Sequence, residues 1–127
     1  MSHFTTIKTE FLDLEILKQT ISDLGFTMQE DDKLIGHGGQ IEYVDLSVRI
    51  APKSYLGFRG QPPGKSYAIT GLAETLAREK TRRIIQMIRQ EYAYRKVLHE
   101  TRKRGFSLIQ EERVKAGVIK LILKKVA

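Results

Sequence analysis

The sequence predicts an α+β fold, an antiparallel sheet with two helices on one face. Three observations predict it. Two stretches space their apolar residues as helices do, several short stretches alternate apolar and polar residues as half-buried strands do, and both kinds recur in the same order in each half of the chain.

Residues 3–11 read as a first strand. Leu14, Leu17, Ile21 and Leu24 then follow helical spacing, with Asp13 placed to cap the N-terminus and Gly25 to end the helix in a left-handed turn, so a helix is expected from about 13 to 24. A strand begins at Phe26, GHGGQ at 36–40 is a turn, and the β-rich run IEYVDLSVRI at 41–50 returns. Shifted by 80 residues, Leu17 falls on Val97, Gly25-Phe26-Thr27 on Gly105-Phe106-Ser107, and Asp31-Asp32 on Glu111-Glu112. The second half thus offers strands at 55–58 and 66–70, a long helix from about 75 to 104, and a hairpin that ends in the alternating run VIKLIL at 118–123. The expected organisation is one domain over 1–127, with pseudo-repeats at 1–50 and 55–127. Within the long helix the apolar stripe changes face: Ile84, Ile85, Ile88 and Tyr92 share one side, whereas Tyr94, Val97, Leu98 and Thr101 lie more than about 120° around from them. The helix must therefore kink near Ala93 or pack its two halves on different neighbours.

At 127 residues, 41% hydrophobic and 29% charged, the chain can bury a sizeable core and is not compositionally disordered. It has no cysteine, which excludes disulfides and thiolate metal sites. No apolar run approaches the roughly 18 residues of a membrane span, and the opening MSHFTTIKTEF lacks the apolar core of a signal peptide. A cytoplasmic protein is expected, or a stromal one if it belongs to a plastid.

GQPPGKS at 60–66 ends like a phosphate-binding loop, but three residues rather than four separate Gly60 from Gly64. Pro62 and Pro63 also remove two backbone donors, and the YAIT that follows reads as strand rather than helix. A hairpin turn is expected there, and GHGGQ is read in the same way. No two of His3, His37 and His99 have metal-ligand spacing, no serine sits in a nucleophile elbow, and the acids at 30–32 and 111–112 read as solvated strand ends. Neither a catalytic group, a metal nor a cofactor is expected.

The net charge of +7 is localised. Residues 78–104 hold ten basic side chains against three acidic ones, while the remainder carries twelve of each. This helix is the strongest functional lead. Arg82, Arg83, Arg89, Arg95 and Lys96 are the candidate contacts, either to a protein partner or to nucleic acid, with Tyr92 and Tyr94 available to stack on bases. Cations at its C-terminus also suit the helix dipole without any ligand.

The motifs MSHF, IKT at 7–9, LEILK at 14–18, DLGF at 23–26, VDL at 44–46, LGF at 56–58, QEYAY at 90–94 and RGF at 104–106 occur in that order. In this the chain resembles the hypothetical chloroplast reading frame thirty-five family, found in algal plastid genomes, cyanobacteria and other bacteria. The resemblance spans nearly the whole chain, and MSHF with IKT, the LGF at 24–26 after the first helix, and YAY carry most of its specificity. It departs in having QPPGK and AREKTRR where the family has an acidic Asp-Gly turn and an acidic approach to the second helix. The resemblance implies a small protein of bacterial cytoplasm or plastid stroma, brings no activity with it, and adds His3, Lys8, Tyr92 and Tyr94 as residues of interest. Together these readings give a non-catalytic protein-binding or assembly module that recruits another protein through the helix at 78–104. Nucleic-acid binding by the same helix is the alternative. Exposed sheet edges leave room for a homo-oligomer.

Overall fold

In the computed structural model, which describes residues 3–61, 65–115 and 118–125, the described residues form seven strands and three α-helices, with a single 3-10 turn at His37–Gly39. They run β1 (Phe4–Lys8), α1 (Leu14–Asp23), β2 (Thr27–Ile35), β3 (Ile41–Ala51), β4 (Ser54–Arg59), β5 (Ala68–Leu72), α2 (Ala73–Ala77), α3 (Glu79–Lys103), β6 (Phe106–Lys115) and β7 (Val118–Lys125). The first five strands make an antiparallel sheet in the order β1-β5-β4-β3-β2.

Local chemistry sets the ends of α1. The Asp13 carboxylate accepts from the Ile16 amide at 3.1 Å, and Gly25 at φ 88° lets its own amide reach Ser22 O while Phe26 N reaches Ile21 O. That pair of bonds is a Schellman stop. Gly105, at φ 83°, ends α3 in the same left-handed conformation.

One face of the sheet presents Met28, Leu46, Val48, Leu56, Phe58, Ile69 and Ile7, and both α1 and α3 pack on it through Ile16, Leu17, Ile21, Ile84, Ile85, Ile88 and Tyr92. Strand alternation delivers the first set and helical spacing the second. Phe11, fully buried between β1 and α1, packs its ring at a tilt against Tyr92 at 4.7 Å and Phe58 at 6.2 Å. Each such large side chain contributes about 1.5–3 kcal/mol by leaving water.

The other face is partly covered by the sheet itself. Asp31 takes a left-handed conformation, φ 49°, which reverses the alternation along β2. Beyond it Leu34 and Val44 turn over this second face: a Cβ on Gly57 would lie 2.5 Å from Val44 Cγ1 and 3.0 Å from Leu34 Cδ1 and Thr70 Cγ2. Gly57 is what lets them sit so close. The tip of the β2–β3 hairpin then reaches across to Phe4 of β1, and His37 Nε2 lies 3.1 Å from Glu74 Oε1 of α2.

Two expectations change. The helix drawn from 75 to 104 is broken at Arg78, whose backbone is extended (φ −69°, ψ 139°). Thr75 and Leu76 are buried, and the Arg78 guanidinium donates to Ser54 Oγ at 3.1 Å, so α2 is held to the sheet while α3 sets off anew. The second hairpin, β6 with β7, forms its own two-stranded ladder instead of extending the five-stranded sheet. It packs on α3, which accounts for the change of apolar face: α3 is one uninterrupted helix from Glu79 to Lys103 whose halves meet different neighbours.

Candidate functional site

Helix α3 carries all five of the cations singled out in the sequence, and the fold divides them. Arg95 Nη2 binds Asp23 Oδ2 at 2.5 Å, and Lys96 Nζ lies 3.9 Å from Asp13 Oδ2 and 3.4 Å from Glu100 Oε1. Lys96 holds the Glu100 carboxyl below the usual carboxylate range, chiefly through that side-chain hydrogen bond. Arg89 donates to Lys8 O at 3.3 Å and sits 3.8 Å from Glu10 Oε1. These three therefore fasten α3 to the segment running from β1 into α1. Arg83 is exposed and pairs within the helix to Glu79 at 2.7 Å. Arg82 is exposed, and no side-chain partner engages it among the described residues.

The tyrosines also fasten elements together. Tyr92 is 3% exposed, and its hydroxyl oxygen accepts from both Leu12 N and Asp13 N at 3.0 Å. Its ring is thus not available for stacking on a base. Tyr94, half-buried, donates to Glu111 Oε2 at 2.7 Å and joins α3 to β6. Exposed on the outward side of α3 are Arg82, Arg83 and Met87, the last 43% exposed, together with Lys80 and Gln86. All five lie within about 160° of one another around the axis at 100° per residue.

His3 is exposed, and its carbonyl accepts from Ala73 N at 2.8 Å, which holds the start of α2 to β1. Lys8, also exposed, borders a cleft of about 620 Å³ with Thr6, Gln61, Lys65 and Ser66. The hydroxyls around it are already engaged: Ser66 Oγ donates to Thr9 O, while Thr9 Oγ1 donates to Tyr67 O at 2.5 Å and accepts from Phe11 N at 3.1 Å. Pro62, Pro63 and Gly64, the middle of the expected turn, lie outside the described residues. The strands on either side, β4 and β5, pair antiparallel, so the Gly-Lys-Ser leads into a strand and not into the helix that a phosphate loop requires.

A second group of cations was not foreseen. Lys33, Arg49 and Lys53 border one groove of about 560 Å³ on the sheet face away from the helices, beside Ser47 and Tyr55. They come from two strands and a turn: register sets Arg49 between Thr27 and Tyr55 but Lys33 opposite Tyr43, and the turning-over of β2 beyond Asp31 brings Lys33 to the same groove. The nearest sequence signal was Pro52-Lys53, a turn dipeptide between two strands.

No helix among the described residues is long and apolar enough to cross a membrane. No solved structure matches the chain. The family model described as "Protein of unknown function (DUF1257)" matches residues 20–122. The chain is 31% identical over 126 residues to the uncharacterized protein ycf35 of Pyropia yezoensis, and 29% and 28% identical over 127 residues to those of Cyanophora paradoxa and Guillardia theta. Each alignment covers 98% of both chains. With that match across most of its length, the chain belongs to the DUF1257 family, the family of the plastid ycf35 proteins.

Proposed function

We propose that this protein is a non-catalytic binding or assembly module that recruits another protein through the outward side of α3, in the cytoplasm or, for a plastid member, the stroma. The observation that carries the reading is the division of the α3 cations. Three of the five are consumed in pairs with Glu10, Asp13 and Asp23, which leaves Arg82 and Arg83 in a mixed patch with Met87, Lys80 and Gln86. Arginine and methionine are enriched at protein interfaces, and a patch that includes an exposed methionine suits a protein surface better than a phosphate backbone. A nucleic-acid groove would instead need several uncommitted cations along one track, and the other exposed cations of α3, Arg102 and Lys103, stand at the far end of the helix.

The test combines Arg82→Glu with Met87→Lys, two exposed positions whose replacement leaves the core untouched. Affinity capture with the wild-type chain is expected to recover a stoichiometric protein that the double variant loses, while both chains unfold at the same temperature. Anisotropy with short RNA and DNA across a salt series is the counter-test. Binding at physiological salt with a log–log slope of magnitude about 3 or more, abolished by Arg82→Glu, would replace the protein reading with the nucleic-acid one.

A further inference from the structure

The groove on the second sheet face is independent of α3. Its floor is Ser47, 4% exposed, whose hydroxyl donates to Asp32 Oδ2 at 2.6 Å. One wall is the arm of β2 beyond Asp31, with Lys33 and Ile35, the latter 67% exposed. The opposite wall is Arg49, Lys53 and Tyr55, the last 43% exposed. Strand β2 ends the sheet order, so its outer backbone groups have no strand beside them among the described residues.

Two features mark this groove as more than a crease. Lys33, Arg49 and Lys53 all line it, and none forms a salt bridge among the described residues. Asp32 is the one acid on the lining, and the Ser47 hydroxyl, the Lys33 backbone amide and the Lys33 charge hold its carboxyl below the usual range. In addition Lys53 sits at φ 62°, in a turn position that glycine would fill without strain. Non-glycine residues held in that conformation cluster at binding sites.

We propose that this groove docks an extended acidic segment of a partner protein, laid along the free edge of β2 with its acids toward Lys33, Arg49 and Lys53 and an apolar side chain between Ile35 and Tyr55. Strand addition supplies the main-chain bonds, and the two walls read alternate side chains. A second copy of this chain fits poorly. Antiparallel self-pairing centred on Asp31 sets Asp31 against Asp31 and Glu30 against Asp32, and each copy carries a net charge of +7.

The probe is a fluorescein-labelled ten-residue peptide of alternating aspartate and valine, with a twin bearing lysine for each aspartate. The full chain is expected to bind the aspartate peptide at least about tenfold more tightly than the twin. Lys33→Gln, Arg49→Gln and Lys53→Gly should each weaken binding about 2- to 5-fold, as loss of an exposed charge pair does. Lys53→Gly should also raise Tm by relieving the left-handed turn, so its weaker binding cannot come from unfolding. Amide shift changes on binding should fall in β2 and around the Arg49–Tyr55 segment, and Arg82→Glu with Met87→Lys should bind the peptide like wild type. Equal affinity for the two peptides, undiminished binding by the triple variant that combines Lys33→Gln, Arg49→Gln and Lys53→Gly, or shift changes on α3 would each overturn the proposal. So would tighter binding of a short oligonucleotide, or self-association in sedimentation that the triple variant abolishes. The α3 reading survives these outcomes unless the oligonucleotide binding is abolished by Arg82→Glu, and this one survives its failure.

Discussion

Tyr92 shows how much a single hydroxyl can organise. Two consecutive amides, Leu12 N and Asp13 N, donate to it just before α1, from a part of the chain about 80 residues away. Its ring meanwhile packs at a tilt against Phe11. Tyr92→Phe keeps that contact and orphans both donors in a partly buried place, so it is expected to destabilise the fold by about 1–3 kcal/mol. Urea unfolding with an unchanged m-value measures this directly. A loss below about 0.5 kcal/mol would mean that water reaches the two amides and that the tyrosine matters for its ring alone. A second residue effect runs the other way: Gly57 has no room for a side chain because Leu34 and Val44 fold onto it, which is why the hairpin can cover the second sheet face at all.

At the level of elements, α1 is defined by its ends. Asp13 caps it and also faces Lys96 across 3.9 Å, so charge and cap are separable by substitution. Asp13→Ala should cost about 1 kcal/mol and Asp13→Asn only a few tenths, since asparagine caps as well as aspartate and an exposed pair at that distance contributes little. Thermal unfolding of the two variants decides it: if asparagine is as damaging as alanine, the pair with Lys96 and not the cap holds α1 to α3. Such ends were legible in the sequence because a cap is local chemistry, an aspartate before an amphipathic run or a glycine after it. The break at Arg78 was not legible, since arginine is a good helix former and what extends it is tertiary: the burial of Thr75 and Leu76 and the bond to Ser54. The candidate surface divides in the same way. The charge on α3 could be counted from the sequence, but its acidic partners Glu10, Asp13 and Asp23 lie more than 70 positions away, and the groove cations meet only through tertiary structure, Arg49 by strand register and Lys33 by the turning-over of β2. The turning-over of β2 rests on one left-handed residue, Asp31, and aspartate merely tolerates that conformation without announcing it.

The molecule as a whole has two ladders of unequal support. In the five-stranded sheet β3, β4 and β5 each have a strand on both sides, and two helices cover one face. The β6–β7 ladder has no third strand among the described residues and rests on α3, tied by Tyr94 to Glu111. A two-stranded hairpin alone is marginal in water, so its persistence depends on that helix. Local opening should then cost less in the hairpin than in the sheet, while the sheet and the first half of α3 open only with the whole fold. Native-state hydrogen exchange is the measurement. Amides of β6 and β7 are expected to exchange through a sub-global opening about 10²-fold or more faster than those of β4, a difference of about 2.7 kcal/mol. Tyr94→Phe should widen the gap while leaving β4 protection unchanged, because the lost bond lies entirely between α3 and β6. Equal protection in both ladders would instead mean that the hairpin is part of the same cooperative unit, and that the second half of α3 is as firmly held as the first.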